Sequence, residues 1–467
     1  MGIQRPHRVP SPPPPPRRQR WLRRAWPALG ALLGLCLCVG ALLLYPPVGQ
    51  RAARRLDSAL AQLQRRLNPP EEVLFVPQQA AQATLQARPT LAVTPAAAGP
   101  TPEAQAAAAG AASPTAAALP VVETLPPTVT PLPPTATLPP LPPQAALSGI
   151  RHQYQLFNNC GPANLAMALS YWGWAGDQTD TRAFLRPNLE VDDKNVMTSE
   201  MVAFVAQQPG LRAMARVGGD AALLKRLLAA GFPVIIEAGH DPADDFWMGH
   251  YLVVSGYADE RRRWTVQDSL IMPDLPVPYD ELDPGPWRDF NYVYLLVYPE
   301  QRQAEVEALL GERLDEAQSY RIAEQRALDE ITRLDGRDLF FAWFNLGSSR
   351  VGLGDYAGAA QAYDQAFALY SRLPEDLRPY RLMWYQVGPY EAYYNTGRYQ
   401  DVVDLANTTF TWVGRGVLEE SFYWRGLAYA ALGMTNQAIK DLQKAAALNP
   451  NYAAPREALN RLGAPAP

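Results

Sequence analysis

The sequence contains very little cysteine, with three residues in 467. Two of them, Cys36 and Cys38, lie inside a long apolar run near the N-terminus, so Cys160 is the single cysteine of the remaining chain. A lone cysteine cannot form a disulfide within that region, nor can it build a zinc site from several thiolates. Two roles remain for Cys160: a buried small hydrophobic residue or a reactive thiol.

Histidine is almost as scarce, and the four residues are His7, His152, His240 and His250. His240 lies in the acidic segment GHDPADD, which lacks the regular spacing of metal ligands and is typical of a solvated loop. No G-x-x-x-x-G-K-[ST] phosphate loop occurs in the sequence. We therefore predict neither a metal nor a cofactor.

The chain also lacks basic character outside its first 70 residues. Residues 1–70 hold twelve arginines, no lysine and one acid, Asp57, which gives +11, whereas the whole chain carries −4 and the remainder therefore −15. Nucleic-acid binding needs a basic field on the folded domains. The charge distribution argues against a nucleic-acid partner and indicates an N-terminus that meets a membrane.

The apolar run predicts a single transmembrane helix. No charged residue occurs from Ala25 to Gln50, and about 20 apolar residues are enough to cross a bilayer. We assign residues 1–24 to a basic segment, 25–46 to the anchor and 47–67 to a basic juxtamembrane helix. The arginine excess before the anchor favours a cytoplasmic N-terminus. A cleaved signal peptide is the alternative, although no A-x-A-like site follows the run.

Residues 68–147 predict a disordered linker. Proline, alanine and threonine dominate, and Glu123 is the only charged residue between Ala104 and Ile150. Such a sequence cannot bury a core and is typical of a semi-rigid spacer. The long linker and the scarcity of cysteine favour extracytoplasmic domains tethered to the cell membrane. The alternative is a topology with both domains in the cytoplasm.

The pattern of a folded domain begins near Ile150. The segment GPANLAMALSYWG has apolar residues at helical spacing, and further helices are predicted after Thr198 and Asp220. The segments FPVIIEA, HYLVVSGY, RWTVQDS and NYVYLLVY are rich in β-branched and aromatic residues and predict strands. Helices followed by an antiparallel sheet predict an α+β domain at residues 148–300.

Residues 301–467 predict an all-α domain with internal repeats. Three similar segments occur: GLGDYAGAAQAY at 352–363, NTGRYQDVVDLA at 395–406 and ALGMTNQAIKDL at 431–442. They resemble the tetratricopeptide repeat, a helix–turn–helix unit of about 34 residues. The resemblance implies a helical repeat domain that recruits a protein partner. A helical bundle without repeats is the alternative.

Three side chains have the chemistry that thiol catalysis needs, and the predicted helix and hairpin give each of them a suitable position. Cys160 lies at the start of a predicted helix, whose dipole favours the thiolate. His250 opens a predicted strand, and a hairpin centred near Asp259 puts Asp268 opposite it, within reach of a hydrogen bond. A cysteine peptidase needs such a nucleophile, base and orienting acid. The alternatives are a strand-edge surface residue for His250 and a turn-forming acid for Asp268.

The segments QYQLFNNCGPANLAMALSYWGW, GHYLVVSGY and VQDS together resemble the bacteriocin-processing, double-glycine type of papain-like cysteine peptidase, family thirty-nine. The stand-alone branch of that family is the more similar one, and the resemblance covers about residues 150–300. It implies a papain-like fold with Cys160 as nucleophile, His250 as general base and Asp268 as orienting acid.

The resemblance also implies Gln155 as a donor to the oxyanion. Gln155 stands five residues before the cysteine, closer than in the transporter-linked members, so Gln153 remains an alternative. We predict a membrane-anchored cysteine peptidase that hydrolyses a protein or peptide substrate. A non-enzymatic scaffold that binds peptides or proteins, and a cysteine transpeptidase, are the alternatives. Leader processing is not predicted, because the chain lacks an ATP-binding loop and has one predicted span.

Overall fold

The computed structural model describes residues 74–78, 140–188, 195–242, 246–413 and 417–467. The predicted membrane anchor, the juxtamembrane helix and most of the linker lie outside these residues. Within them, every helix is too short or too polar to cross a bilayer.

The first domain is built on an antiparallel sheet. In the described residues its strands are β1 Gln144–Ala146, β2 Leu211–Arg216, β3 Val234–His240, β4 Met248–Ala258, β5 Arg263–Gln267, β6 Leu275–Pro278 and β7 Tyr294–Pro299. They are arranged in the order β2-β7-β3-β4-β5-β6, and β1 pairs with β4. The helices are α1 Cys160–Tyr171, α2 Gln178–Leu185, α3 Thr198–Val205 and α4 Ala221–Ala229. This is the α+β architecture that the sequence predicts.

Both faces of the central strand β4 are buried, because successive side chains point to opposite sides of a sheet. Tyr251 and Val253 belong to the core formed with α1 and α3. Leu252 and Val254 belong to the core formed with α4 on the other face. The strand that carries His250 is therefore held between two helical layers.

The linker differs from the prediction near both of its ends. Residues 144–146 form β1, so the folded domain begins before residue 148. The stretch from Gln144 to Leu147 contains no proline, and its amides can join the sheet even though the surrounding composition indicates disorder. Near the other end, Phe75 is buried against the helical domain.

The second domain is entirely helical in its described residues. Its helices are α5 Gln303–Leu310, α6 Glu316–Ile331, α7 Gly336–Gly352, α8 Tyr356–Tyr370, α9 Leu382–Tyr385, α10 Gly388–Asn395, α11 Tyr399–Val413, α12 Glu419–Ala431, α13 Thr435–Leu448 and α14 Ala453–Arg461. The glycines shared by the three repeated segments, Gly354, Gly397 and Gly433, adopt φ values of 76°, 76° and 77°. Each glycine permits the left-handed turn that ends one helix and lets the next pack against it.

The helical domain packs directly behind the start of β4. Trp247 stacks on Phe290 and contacts Phe341 of α7, with ring centroids 5.7 and 5.4 Å apart. A Cβ atom on Gly249 would lie 2.5 Å from Phe290 Cζ and 2.8 Å from Tyr385 Cε1. Only glycine allows this approach, so the residue before His250 is held against the helical domain.

Candidate active site

Cys160 is the first residue of α1 and follows a strained turn. Asn158 adopts a left-handed backbone with φ 48°, which asparagine tolerates better than most residues. The buried Arg186 donates through Nη1 to the carbonyl oxygens of Phe157 and Asn158 at 3.2 and 2.8 Å. Asn159, the residue before α1, forms no side-chain cap with the helix. Its amide donates instead to the Gln178 side chain at 2.9 Å.

The buried Asn164 connects α1 to the sheet. Its Nδ2 lies 2.9 Å from the Cys160 carbonyl oxygen, 2.7 Å from that of Tyr251 and 3.0 Å from Ser269 Oγ. Gly161 permits close packing there, since an added Cβ would lie 3.0 Å from Met201 Cε. The thiol is thereby held beside the start of β4.

The structure brings Cys160, His250 and Asp268 together. His250 Nε2 donates to Asp268 Oδ1 at 3.0 Å, and both residues are about 5% exposed or less. The Cys160 thiol is hydrogen-bonded to the His250 side chain. Because Nε2 is bound to Asp268, Nδ1 is the nitrogen available to the thiol. The three side chains thus form one relay, and the residue at its end, Cys160, is half-buried.

The register that brings His250 and Asp268 together differs from the predicted one. Val253 pairs with Gln267, so Asp268 lies just beyond β5 and two positions away from the site opposite His250. The shift comes from a bulge between Val254 and Gly256 and from a turn that ends with Arg262 in a left-handed conformation. A shift of two residues keeps both side chains on the same face, so the hydrogen bond forms diagonally.

The electrostatics of the relay favour a thiolate–imidazolium pair. Burial raises the pKa of Cys160, but the hydrogen bond and positive charge of His250 outweigh it, and the N–H groups of Tyr251 and Gly161 lower that pKa further. Burial lowers the pKa of His250, but the charges of Asp268 and Cys160 raise it well above its ordinary value. The pKa of Cys160 is lowered and that of His250 is raised, so the thiolate–imidazolium pair persists over a wide pH range.

Asp268 is held in its ionised form by several donors. Burial raises its pKa, but the positive charge of His250 and the N–H groups of Leu270 and Ile271 lower it below the ordinary value. These N–H groups donate to Oδ1 at 2.7 and 3.0 Å. His152 donates through Nε2 to the Asp268 carbonyl oxygen at 2.9 Å. His152 therefore supports the loop that carries Asp268.

The two glutamine candidates occupy different places. Ser269 Oγ donates to Gln155 Oε1 at 2.8 Å, and the Gln155 backbone N–H donates to the Ser269 carbonyl at 2.8 Å. These bonds leave the Gln155 side-chain NH₂ group to donate elsewhere. Gln153 Oε1 instead accepts the Gln178 backbone N–H at 2.9 Å, at the start of α2. Gln155 thus lies beside the loop that carries Asp268, whereas Gln153 lies at the start of α2.

Sequence reasoning missed the polar residues that position these groups: Asn164, Gln178, Arg186 and Ser269. Asn164 gave one usable signal, since an asparagine on an apolar helix four residues after Cys160 must find buried partners. Gln178 donates to the Tyr154 carbonyl at 2.8 Å and accepts from the Leu156 N–H at 2.8 Å. Those contacts join segments far apart in sequence, and no local pattern reveals them.

A cavity of about 800 Å³ lies between the sheet domain and the helical domain. Glu237 of β3 and Tyr385 of α9 both line it. Burial raises the pKa of both side chains, and negative charge on Cys160 raises each further. Glu237 is 5% exposed, and its Oε1 has no hydrogen-bond partner among the described residues. Cys160, His250 and Asp268 are not among the residues that line the cavity.

His240 does not form part of a metal cluster in the described residues. Its ring centroid lies 5.6 Å from that of His250. The neighbouring Asp241 pairs with Arg337 of the helical domain at 2.6 Å. Asp244 and Asp245 lie outside the described residues.

Comparisons with known proteins agree with both halves of this architecture. Residues 144–279 match the peptidase C39-like family, and residues 342–372 and 419–452 match tetratricopeptide repeats. No curated protein matches the chain. A crystal structure from Bacillus anthracis, described as a C39-like peptidase, is 18% identical, with a TM-score of 0.29, over 34% of this chain and 98% of that one. The chain consists of a C39-like peptidase domain fused to C-terminal tetratricopeptide repeats.

Proposed function

We propose that the chain is a cysteine peptidase that cleaves peptide bonds with Cys160 as nucleophile. The observation that carries this proposal is the continuous relay from the Cys160 thiol through His250 to Asp268. A thiolate held beside an imidazolium attacks a carbonyl carbon at neutral pH without a separate activation step. A merely structural cysteine needs neither the histidine nor the buried acid.

The reaction follows from the positions of the groups. The Cys160 thiolate adds to the scissile carbonyl carbon, and His250 gives its Nδ1 proton to the leaving amine as the C–N bond breaks. The resulting thioester is then attacked by water, which His250 deprotonates, and the acid product leaves as the thiolate re-forms. Asp268 holds the imidazole through Nε2 and stabilises its positive charge.

Two donors are suited to the oxyanion of this reaction. The Cys160 backbone N–H belongs to the first turn of α1, where amides have no intrahelical acceptor. The Gln155 side-chain NH₂ is oriented by the bond from Ser269 to its Oε1. Fixed donors of this kind stabilise the charge that develops on the carbonyl oxygen.

The remaining parts of the chain define where the peptidase acts. Residues 25–46 anchor it in the cell membrane, with the folded domains on the extracytoplasmic side. The cavity between the two domains receives part of the peptide substrate, and the repeats recruit the protein that carries it. This assignment is supported by the apolar run at 25–46 and by the lining of the cavity from both domains.

The reactivity of Cys160 toward iodoacetamide tests the proposal. Wild-type alkylation at pH 6 should be about tenfold faster than in His250→Ala, because the larger thiolate fraction outweighs the lower nucleophilicity of a low-pKa thiolate. The wild-type rate should change little from pH 6 to 8, whereas the His250→Ala rate should rise with pH as its thiol ionises. Modification at Cys160 is read by mass spectrometry of the full chain.

His240→Ala is the matched control, since it removes an imidazole only 5.6 Å from His250. Its alkylation profile should resemble that of the wild type. An ordinary profile in the wild type, unchanged by His250→Ala, would rule out the ion pair and favour the peptide-binding scaffold.

Gln155→Ala should lower kcat by about 10²-fold with little change in KM, because an oxyanion donor acts mainly in the transition state. The measurement is steady-state cleavage of a peptide substrate. Gln153→Ala removes a glutamine that contacts α2 and should change kcat less than about threefold. Equal losses in the two variants would contradict the assignment of Gln155.

A further inference from the structure

A short segment of the linker lies on the repeat domain. Phe75 is 4% exposed, and its ring meets Phe367 of α8 edge-on with centroids 4.9 Å apart. Its centroid lies 6.2 Å from that of Tyr393 of α10. Pro77 is also buried, whereas Leu74 and Val76 are exposed. Alternate residues therefore insert into the surface, as they do when an extended peptide occupies a groove.

A buried carboxylate, that of Asp401, accepts a hydrogen bond from the backbone of the same segment. The Gln78 N–H donates to Asp401 Oδ1 at 2.8 Å, and Asp401 is 3% exposed. The other oxygen of Asp401 accepts from Arg398 Nε at 2.7 Å. A main-chain donor is present in nearly every residue type, so this contact fixes the position of a peptide without selecting the side chain at 78.

The shape of the groove indicates which peptide side chains it accommodates. Aromatic rings from α8 and α10 form a slot for a flat apolar side chain, and a second buried position two residues later holds proline. Proline restricts the backbone and lowers the entropy lost when an extended peptide binds. Asp401 then accepts the next N–H. The groove thus fits an extended segment with an aromatic residue, any residue and proline in succession.

We propose that this groove of α8, α10 and α11 is a peptide-binding site whose resident ligand is the chain's own segment 74–78. A partner protein with an extended aromatic-x-proline segment binds by displacing it. Residues 79–143 separate the segment from β1, so the segment can leave the groove without removing β1 from the sheet. The proposal does not depend on catalysis at Cys160.

A labelled peptide with the sequence EEVLFVPQQAA, residues 71–81, tests the site in trans. A tethered ligand competes at an effective concentration on the order of millimolar. The peptide should therefore bind the full-length Phe75→Ala chain at least about tenfold more tightly than the wild-type chain, whose groove is occupied. Fluorescence anisotropy measures both affinities. The peptide with alanine in place of phenylalanine should not bind either chain.

Val76→Ala is the matched control, because Val76 is 53% exposed and its loss should leave peptide affinity at the wild-type value. Gln78→Pro is a second releasing variant that removes the N–H bound to Asp401 without disturbing the aromatic slot. It should also bind the peptide more tightly than the wild type does. Equal affinity in wild type and both releasing variants, or no binding to a releasing variant that melts cooperatively, would overturn the proposal.

Discussion

Replacing Cys160 by serine is expected to reduce peptide hydrolysis by at least about 10⁴-fold. The substitution keeps a small side chain at the start of α1 and leaves Asn164, Gln155 and His250 in place. A hydroxyl has a far higher pKa than a thiol, so His250 cannot hold it as a ready anion. The variant should therefore bind substrate normally and fail in the first chemical step.

The measurement uses the full chain and a library of peptides, with new termini identified by mass spectrometry. Cys36→Ser/Cys38→Ser is the matched control, because it removes the other two thiols of the chain and should leave the cleavage products unchanged. Cleavage at the same sites and rates by Cys160→Ser would contradict the nucleophile assignment. An absence of cleavage by a wild-type chain that still shows a low thiol pKa would favour acyl transfer to an amine over hydrolysis.

The sequence predicts those parts of the site that depend on local patterns. Cys160 stands before a regular apolar helix, so its place at a helix start follows from helical spacing alone. His250 and Asp268 flank two β-rich runs joined by a polar turn, which indicates a hairpin. The predicted register was wrong by two residues, but a shift of two residues leaves His250 and Asp268 on the same face of the sheet, so their predicted proximity did not change.

Contacts between distant segments could not be predicted from the sequence. Gln155 and Gln153 differ in their partners, because Gln155 contacts Ser269 and Gln153 contacts Gln178. Both partners lie more than 20 residues away in the sequence. The packing of Tyr385 against Gly249 joins the two domains, and neither residue has a local signature for it. The burial of Phe75 and the formation of β1 could not be predicted either, because a few ordered residues hardly change the amino-acid composition of a long proline-rich segment.

The acid of the relay provides the second large expected effect. Asp268→Asn should lower kcat/KM by about 10²- to 10⁴-fold. An asparagine can still accept from the N–H groups of Leu270 and Ile271, but it lacks the negative charge that raises the pKa of His250. The imidazolium then loses its proton at lower pH, and the thiol pKa moves back toward its ordinary value. Thiolate reactivity at pH 6 should fall, and the alkylation profile should shift to higher pH.

Asp274→Asn is the matched control for charge and loop structure. Asp274 follows β5 in the same loop, accepts from Gln267 Nε2 at 2.7 Å, and adopts a left-handed backbone with φ 49° that asparagine also tolerates. Its replacement should change kcat/KM less than about threefold and leave the alkylation profile in place. If Asp268→Asn and Asp274→Asn behave alike, Asp268 has a structural role in the loop. If Asp268→Asn alone shifts the profile, the charge of Asp268 acts on Cys160 through His250, as the hydrogen bonds of the relay require.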